Sequence, residues 1–515
     1  MRKSIFSILF IVFTMVYALS AYAQGKWWSD SLCYKVDMST TIATKGVAPM
    51  WLVSNRHGLS TLQDASGYMR AAIYKKTTPV KSSKWKIGYG LDIVVPANHA
   101  TQNYETGKRC NELFVQQMYA DFYYKKMLIS LGAKERPMEM KHQRLSSGSQ
   151  VFGINARPVP QVAIDIPEYV SIVGKKNPWL SFKFHFGYGM MTDGYWQKKY
   201  VASDERSAYN VLLHTEGFYF QVGNPKKNPL TFEFGLEKAT QFGGIVYNPG
   251  GRTGRYADKL DLTPGFKDFF KVIIGLGHDE TDGIYHNVMG NTVGSWLFSL
   301  KYDARDWSIR AYYDHFFEDH SMMFVQYGWL DGLLGLEINL PKNRLVSTLV
   351  YEYMNTTYQG GPIYHDHTPE IMSQISGRDN YYNHNIYPGW QHWGQPMGNP
   401  LYTSPLYYDE GRLIFNSNRF TSHHVGIEGA PAKGLNYRVL MSYSTHLGTY
   451  VKPYLDRKYA TSCMGEVEYD FSHSERLKNK GYKATVSVGF DEGKQLGNNR
   501  GFMFTLSKIG NLVKK

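Results

Sequence analysis

Leu180-Ser-Phe-Lys-Phe-His-Phe-Gly-Tyr188 alternates without a break. Leu180, Phe182, Phe184, Phe186 and Tyr188 fall on one face, and Ser181, Lys183, His185 and Gly187 on the other. Successive side chains of a strand point to opposite sides of a sheet, so this segment reads as a strand with one apolar face. Leu230–Glu237, Leu334–Leu340 and Tyr482–Phe490 repeat the pattern. One apolar and one polar face suits a soluble sandwich as well as a membrane barrel. Length separates the two. Many of the alternating segments run ~9 to 12 residues, the length of a tilted membrane strand, against a mode of ~5 to 6 in soluble sheets.

Eighteen such segments can be read between Leu32 and Ser507. The first, Leu32–Thr44, and the sixth, Gln161–Ile172, are weak by themselves and are supported by parity. Outer-membrane barrels alternate short periplasmic turns with long outer loops. With eighteen strands the short connections fall at Lys75–Lys84, Tyr123–Lys126, Val173–Trp179, Gly223–Leu230, Asp303–Asp306, Leu340–Arg344, Ala430–Gly434 and Ser472–Lys480. The connections between them, such as Thr445–Ser462, are longer. Omitting either weak strand destroys this order. The expected fold is an all-β, antiparallel transmembrane barrel of about eighteen strands, with both termini in the periplasm.

The N-terminus agrees with export. Arg2 and Lys3 precede an apolar run, Ile5–Leu19, and Ala21-Tyr22-Ala23 forms an A-x-A cleavage site. These features predict a signal peptide over residues 1–23, cleaved after Ala23, and localisation to the outer membrane. Residues 24–31 form a short periplasmic lead, and 32–515 the barrel. No later run reaches the ~18 to 20 apolar residues of a transmembrane helix. Cys33, Cys110 and Cys463 cannot all pair with one another, so disulfides do not build this fold.

The net charge of +13 would point to an acidic partner. The eight short turns and the tail Lys508–Lys515 account for more than all of it. Lysines there can reach phospholipid headgroups at the periplasmic rim. Nucleic acid is therefore not an expected partner, whereas outer-membrane lipid is.

Two outer loops stand apart. The loop 242–292 contains Pro264–Leu276, where Phe266, Phe269, Phe270, Ile273 and Ile274 recur at helical spacing. A helix packed into the barrel mouth is the expected reading, and a membrane-surface helix the sharper one. The loop 354–420 is longer. Its segment Asn355–Phe420 holds eight Tyr, two Trp, four His and six Pro. Loops of this length are functional or disordered, and aromatic richness argues against disorder.

Several segments resemble the Wzi family of capsule assembly proteins in its Bacteroidetes form. They are Ala48-Pro-Met-Trp-Leu-Val-Ser-Asn55 with Gly58, Gly148–Pro160, Pro264–Gly275, Asn287–Gly294 and Asp379–Leu401. The resemblance implies an eighteen-stranded outer-membrane barrel that acts as a surface lectin, holding and organising capsular polysaccharide. Capsule export machinery is a further partner it implies. Enteric members carry a periplasmic helical bundle before the barrel. Gln24–Ser31 leaves no room for one, which puts that link to export in doubt.

Sugar recognition needs flat aromatic faces and planar polar groups. The large loop offers Tyr381, Tyr382, Tyr387, Trp390 and Trp393 beside Arg378, Asn380, His384 and His392, with Asn383 and Gln391 nearby. These are the candidate glycan-binding residues, since Tyr and Trp can bury a ring while keeping a polar tip wet. The alternative for each ring is that it fills the lumen and pins the loop. No metal or other cofactor is expected. His365-Asp366-His367 lacks a third ligand, and Asp279–Gly283 lacks the full calcium-loop pattern. No nucleophile elbow, P-loop or zinc-protease motif is present. Glu233, Glu237, Glu337, Glu466 and Glu468 are expected to balance Lys183, Lys301, Arg310 and Arg438 inside the lumen rather than to hydrolyse glycosides. The chain is therefore expected not to be an enzyme. A channel for glycans or small solutes is the competing function.

Overall fold

The computed structural model describes residues 32–75, 84–97, 113–174, 179–251, 258–275, 289–318, 323, 329–364, 375–408, 410–474, 477 and 480–512. The signal peptide, Cys110, His365-Asp366-His367 and Asp279–Gly283 lie outside them. Eighteen antiparallel strands form one sheet. They are β1 Leu32–Val47, β2 Gln63–Lys75, β3 Trp85–Ala97, β4 Phe114–Tyr124, β5 Met127–Ala133, β6 Gln161–Val173, β7 Leu180–Met190, β8 Leu212–Val222 and β9 Leu230–Phe242. The circuit continues with β10 Asn291–Asp303, β11 Ser308–Glu318, β12 Gly332–Asn339, β13 Thr348–Asn355, β14 Phe420–Ala432, β15 Leu435–Gly448, β16 Pro453–Asp470, β17 Tyr482–Glu492 and β18 Asn499–Asn511. Each pairs with its neighbours in sequence, and β1 pairs with β18 from Cys33↔Asn511 to Ala43↔Gly501. The sheet is thus a closed barrel. No described helix is long and apolar enough to cross a membrane.

Alternation sets the two surfaces. On β1, Asp37, Ser39 and Thr41 are buried while Met38 and Ile42 are exposed. On β7, Lys183 and His185 turn inward to charged partners. The even residues turn outward, where Phe184 stacks on Phe218 of β8 at 6.5 Å. At the short-turn end Trp85, Trp179, Tyr302 and Trp307 stay exposed. That is the aromatic girdle of a bilayer interface. Closure is required there, because lipid offers no partner for an unpaired N–H or C=O.

All eighteen expected strands are present. The alternation of short and long connections is less regular than expected. The connection expected over Thr445–Ser462 shrinks to four residues, because β15 and β16 run on as a hairpin. Beyond the bilayer both faces of a strand are wet, so Asp456, Arg457 and Lys458 carry no apolar alternation by which to recognise it. Only 493–498 link β17 to β18.

Three other outer connections turn into the lumen among the described residues. The β5–β6 connection, 134–160, runs down the lumen and is tied to the wall by buried ions. Lys141 Nζ meets Asp314 at 2.8 Å, with both side chains almost wholly buried. Glu352 accepts from Ser146 Oγ at 2.6 Å, Ser147 N at 2.7 Å and Tyr312 Oη at 2.6 Å. From the β13–β14 connection, the segment 379–402 lies on top of it. A continuous apolar core joins Tyr381, Tyr382, Trp390 and Tyr402 of that loop to Phe316, Val350, Phe420, Leu440, Met464 and Met503 of the wall. Helix α1, Met50–Val53, adds Met50, Trp51 and Leu52 from the β1–β2 connection.

Lys141→Met should leave Asp314 charged and unpaired in this interior, at a cost of about 3–5 kcal/mol. The expected outcome is protease cleavage within 138–160 of the folded protein, with the barrel still showing heat-modifiable migration on gels.

Candidate functional site

Most of the predicted sugar-binding rings sit inside the plug. Tyr381 donates its hydroxyl to Asp331 Oδ2 at 3.2 Å and meets Phe316 edge-on at 4.8 Å. Tyr382 lies against Tyr402 with centroids 3.8 Å apart, donates its hydroxyl to Gln150 O and accepts from Asn399 N. Tyr387 donates to Gly243 O at 3.0 Å. Trp390 donates its indole N–H to Val151 O at 3.3 Å. None of the four is more than 1% exposed, so none offers a ring face to a sugar.

His392 is also fully buried. Its Nδ1–H donates to Arg157 O at 2.9 Å, and its Nε2 accepts from Thr192 N at 3.3 Å. Burial holds its pKa below the ordinary imidazole value, which keeps this neutral tautomer. His384 is similar. Burial, then the nearby Arg206 guanidinium, lowers its pKa to about 3, and its Nδ1 accepts from Ile386 N and Tyr387 N. These histidines are structural acceptors, not proton carriers. Asn380 is half-buried, its Oδ1 accepting from Asn383 and Asn418. Arg378 ends a short ribbon with its backbone opposite Gly360. Tyr381, Tyr382, Tyr387, Trp390 and His392 thus belong to a hydrogen-bonded plug rather than to a sugar-facing surface. A hole of barrel size demands large side chains, and Tyr and Trp fill it while finding partners for their polar tips.

Trp393 differs. It is half-buried, and its φ of +56° turns the chain at the loop surface. Its backbone N–H donates to Asp193 Oδ2 at 3.0 Å. The Arg157 guanidinium lies 4.5 Å from the indole and 3.6 Å from the Phe114 ring. Burial lowers the Arg157 pKa to about 9, against which Asp193 acts in its favour. Helix α2, Gly194–Tyr200, supplies the neighbours. Trp196 and Tyr200, four residues apart on one helix face, stack at 5.1 Å, and Trp196 approaches Trp393 at 5.8 Å. Tyr195 points the other way, 68% exposed, with Lys199 Nζ 4.3 Å from its ring. A second outer group places Arg419 3.6 Å over Tyr450, beside the exposed Tyr358. Neither Tyr195 nor Tyr450 was among the expected residues. The run Tyr195-Trp-Gln-Lys-Lys-Tyr200, aromatic and cationic together, carried the signal.

Among the described residues, cavities lie below the plug. One, of about 290 Å³, lies between the 134–159 segment and the inner faces of β5–β8. Arg136 pairs with Asp165 at 3.0 Å across it, and Lys183 pairs with Glu139. Another, of about 640 Å³, reaches Pro225 and Asp303 at the short-turn end. The expected internal balance of charge holds for Glu337 with Arg310 and for Glu466 with Arg438. Lys183 and Lys301 instead take Glu139 and Asp303. Among the described residues no cluster of three His, Cys, Asp or Glu side chains could hold a metal.

These features define an outer-membrane β-barrel of eighteen strands with a lumen filled by its own loops. No protein-family model matches the chain, and no curated protein sequence matches it. Solved structures do. Wzi of Escherichia coli, described as an outer-membrane protein involved in group 1 capsule assembly and a carbohydrate-binding β-barrel, aligns with a TM-score of 0.55 at 12% identity, over 92% of this chain and 83% of that one. OccK9 of Pseudomonas aeruginosa aligns at 0.47 and 11% identity, over 93% of this chain and 98% of that one. OprD of the same organism aligns at 0.46 and 8% identity, over 94% and 96%. At such identities the likeness is one of fold.

Two outcomes follow. Trp390→Ala should loosen the plug by about 3–5 kcal/mol, seen as faster hydrogen exchange across 381–402. Burial raises the Asp331 pKa to about 6 although Tyr358 N, Gln359 N and Tyr381 Oη all donate to it. A carboxyl whose folded pKa lies above its unfolded value of about 3.9 favours folding at low pH. The amides of Tyr358 and Gln359 should therefore be better protected at pH 5 than at pH 7, after correction for intrinsic exchange. Asp331→Asn should remove the difference.

Proposed function

We propose that this chain is a surface lectin of the outer membrane, a Wzi-like barrel that binds and organises capsular or other cell-surface polysaccharide. The carrying observation is the plug. An eighteen-strand barrel with small loops would keep an aqueous channel. Here the outer half of the lumen is packed with buried aromatic side chains, and the outer connections present Trp393, Tyr195, Tyr358 and Tyr450 at the surface. Rings flanked by Lys199 and Arg419 can stack on sugar C–H faces while the cations donate to hydroxyls or carboxylates. The description of E. coli Wzi as a carbohydrate-binding barrel lends support to the same reading. Capsule export machinery is the partner such a role would call for, and no catalytic step is part of it.

The competing reading is a channel for glycans or small solutes. The charged cavities beneath the plug favour it, since one reaches the periplasmic turns.

Binding of the host cell's own capsular polysaccharide to the purified full-length protein separates the two readings. Trp393→Ala with Tyr195→Ala is expected to weaken binding about tenfold, or ~1.4 kcal/mol, with heat-modifiable migration unchanged. Unaltered binding would remove this surface from consideration. Steady conductance in planar bilayers would favour the channel, and release of glycan fragments an enzyme; neither is expected.

A further inference from the structure

Helix α3, Phe266–Ile274, does not enter the barrel mouth. It packs on the outer side of the wall. The even residues of β7 and β9 and their partners on β8 face outward, and α3 covers the upper part of that surface. Phe269 meets Tyr188 at 5.4 Å and Phe242 at 5.4 Å, both edge-on. Tyr188 Oη donates to Phe269 O, and Lys238 Nζ to Ile273 O at the helix C-terminus. Lys238 also pairs with Glu216 at 2.8 Å, and Glu216 lies 3.4 Å from His214. All three of these outward-facing polar side chains are buried.

The helix is well defined by its own ends. Gly265 N–H donates to Asp268 Oδ2 at 2.8 Å, closing the first turn. Gly275 ends the helix at φ +64°, a left-handed cap that glycine adopts freely. With Phe269, Val272 and Ile273 turned to the wall, the opposite ridge is apolar too. Phe266, Phe270 and Ile274 are 79%, 55% and 63% exposed. Phe266 and Phe270 meet edge-on at 5.3 Å. Such a ridge has no reason to face water.

We propose that α3 is an interfacial helix whose ridge Phe266–Phe270–Ile274 lies in the acyl chains of the outer leaflet. Two observations choose lipid as the occupant. The ridge continues the barrel's own lipid-facing belt, for Phe218 and Phe232 stay exposed on β8 and β9, lower on the same outward surface. The helix also covers His214, Glu216 and Lys238, groups costly to leave against hydrocarbon. Lys267 and Lys271 flank the ridge, as in helices that lie in a headgroup region. The helix thus fixes the depth of the 258–275 segment in the membrane.

The test uses the full-length protein with Phe270→Cys, carrying a nitroxide, in phosphatidylcholine vesicles. Native cysteines are accounted for by labelling the parent protein. The label should be reached by oxygen and shielded from a water-soluble nickel chelate to the same degree as one at Phe218→Cys. Chelate access equal to that of a label at Tyr195→Cys would overturn the proposal. So would dipolar broadening that disappears on dilution with unlabelled protein, because the ridge would then face a second copy. Phe270→Ser with Ile274→Ser should keep heat-modifiable migration while increasing hydrogen exchange across 265–275 in the same vesicles. Unchanged exchange would also count against lipid contact.

Discussion

A closed sheet of eighteen strands leaves a hole, and the rest of this molecule depends on how that hole is filled. Wall and filling come from the same chain. The wall needs only alternation and closure, which β1 and β18 supply. The filling needs side chains large enough to span a lumen and polar enough to satisfy irregular backbone within it. Tyr382 does both: its ring packs between Phe316, Tyr402 and Phe415, while its hydroxyl donates to one loop and accepts from another. Asn155, His392 and Glu352 serve the same end with side chains alone.

The wall was legible in the amino-acid sequence because its code is local. A segment such as Leu180–Tyr188 declares its two faces by itself, and parity recovers the two weak strands. The extension of β16 was not legible, because above the bilayer no difference in solvent marks one face from the other. The plug was legible only as a composition. Aromatic rings with amide neighbours are what a sugar site requires, and also what a wet cavity requires if it is to be packed. Sequence cannot separate these uses; burial does. It sends Tyr381, Tyr382, Tyr387, Trp390 and His392 inward and leaves Trp393 half-open. Tyr195 escaped notice because it stands in another loop, whose Trp196 is brought beside Trp393 only by the fold.

Charge shows the same division. Among the described residues, Lys126 and Lys342 of the short turns pair with Glu168 and Asp306 at the wet rim, and the buried pairs answer to the lumen. Lys141 with Asp314 is a bond between a loop and the wall, which replacement by two apolar groups could match in energy but not in orientation. Glu216 with Lys238 is the reverse case, an ion pair on the lipid side of the wall, sheltered by a helix that supplies a carbonyl to the lysine.

The separation in sequence between partners within the plug bears on how the chain assembles. Ser147 is held by Glu352, Gln150 by Asp314 and Asn155 by Pro396, partners that lie 205, 164 and 241 residues further along. Leu145 O accepts from His424 across 279 residues. Until strands β11, β13 and β14 exist, the 134–160 segment has none of these partners, and contacts so remote in sequence are slow to form. The early strands must therefore associate around an unfilled centre. The 134–160 segment can therefore take its final contacts only once the chain has been added as far as β14.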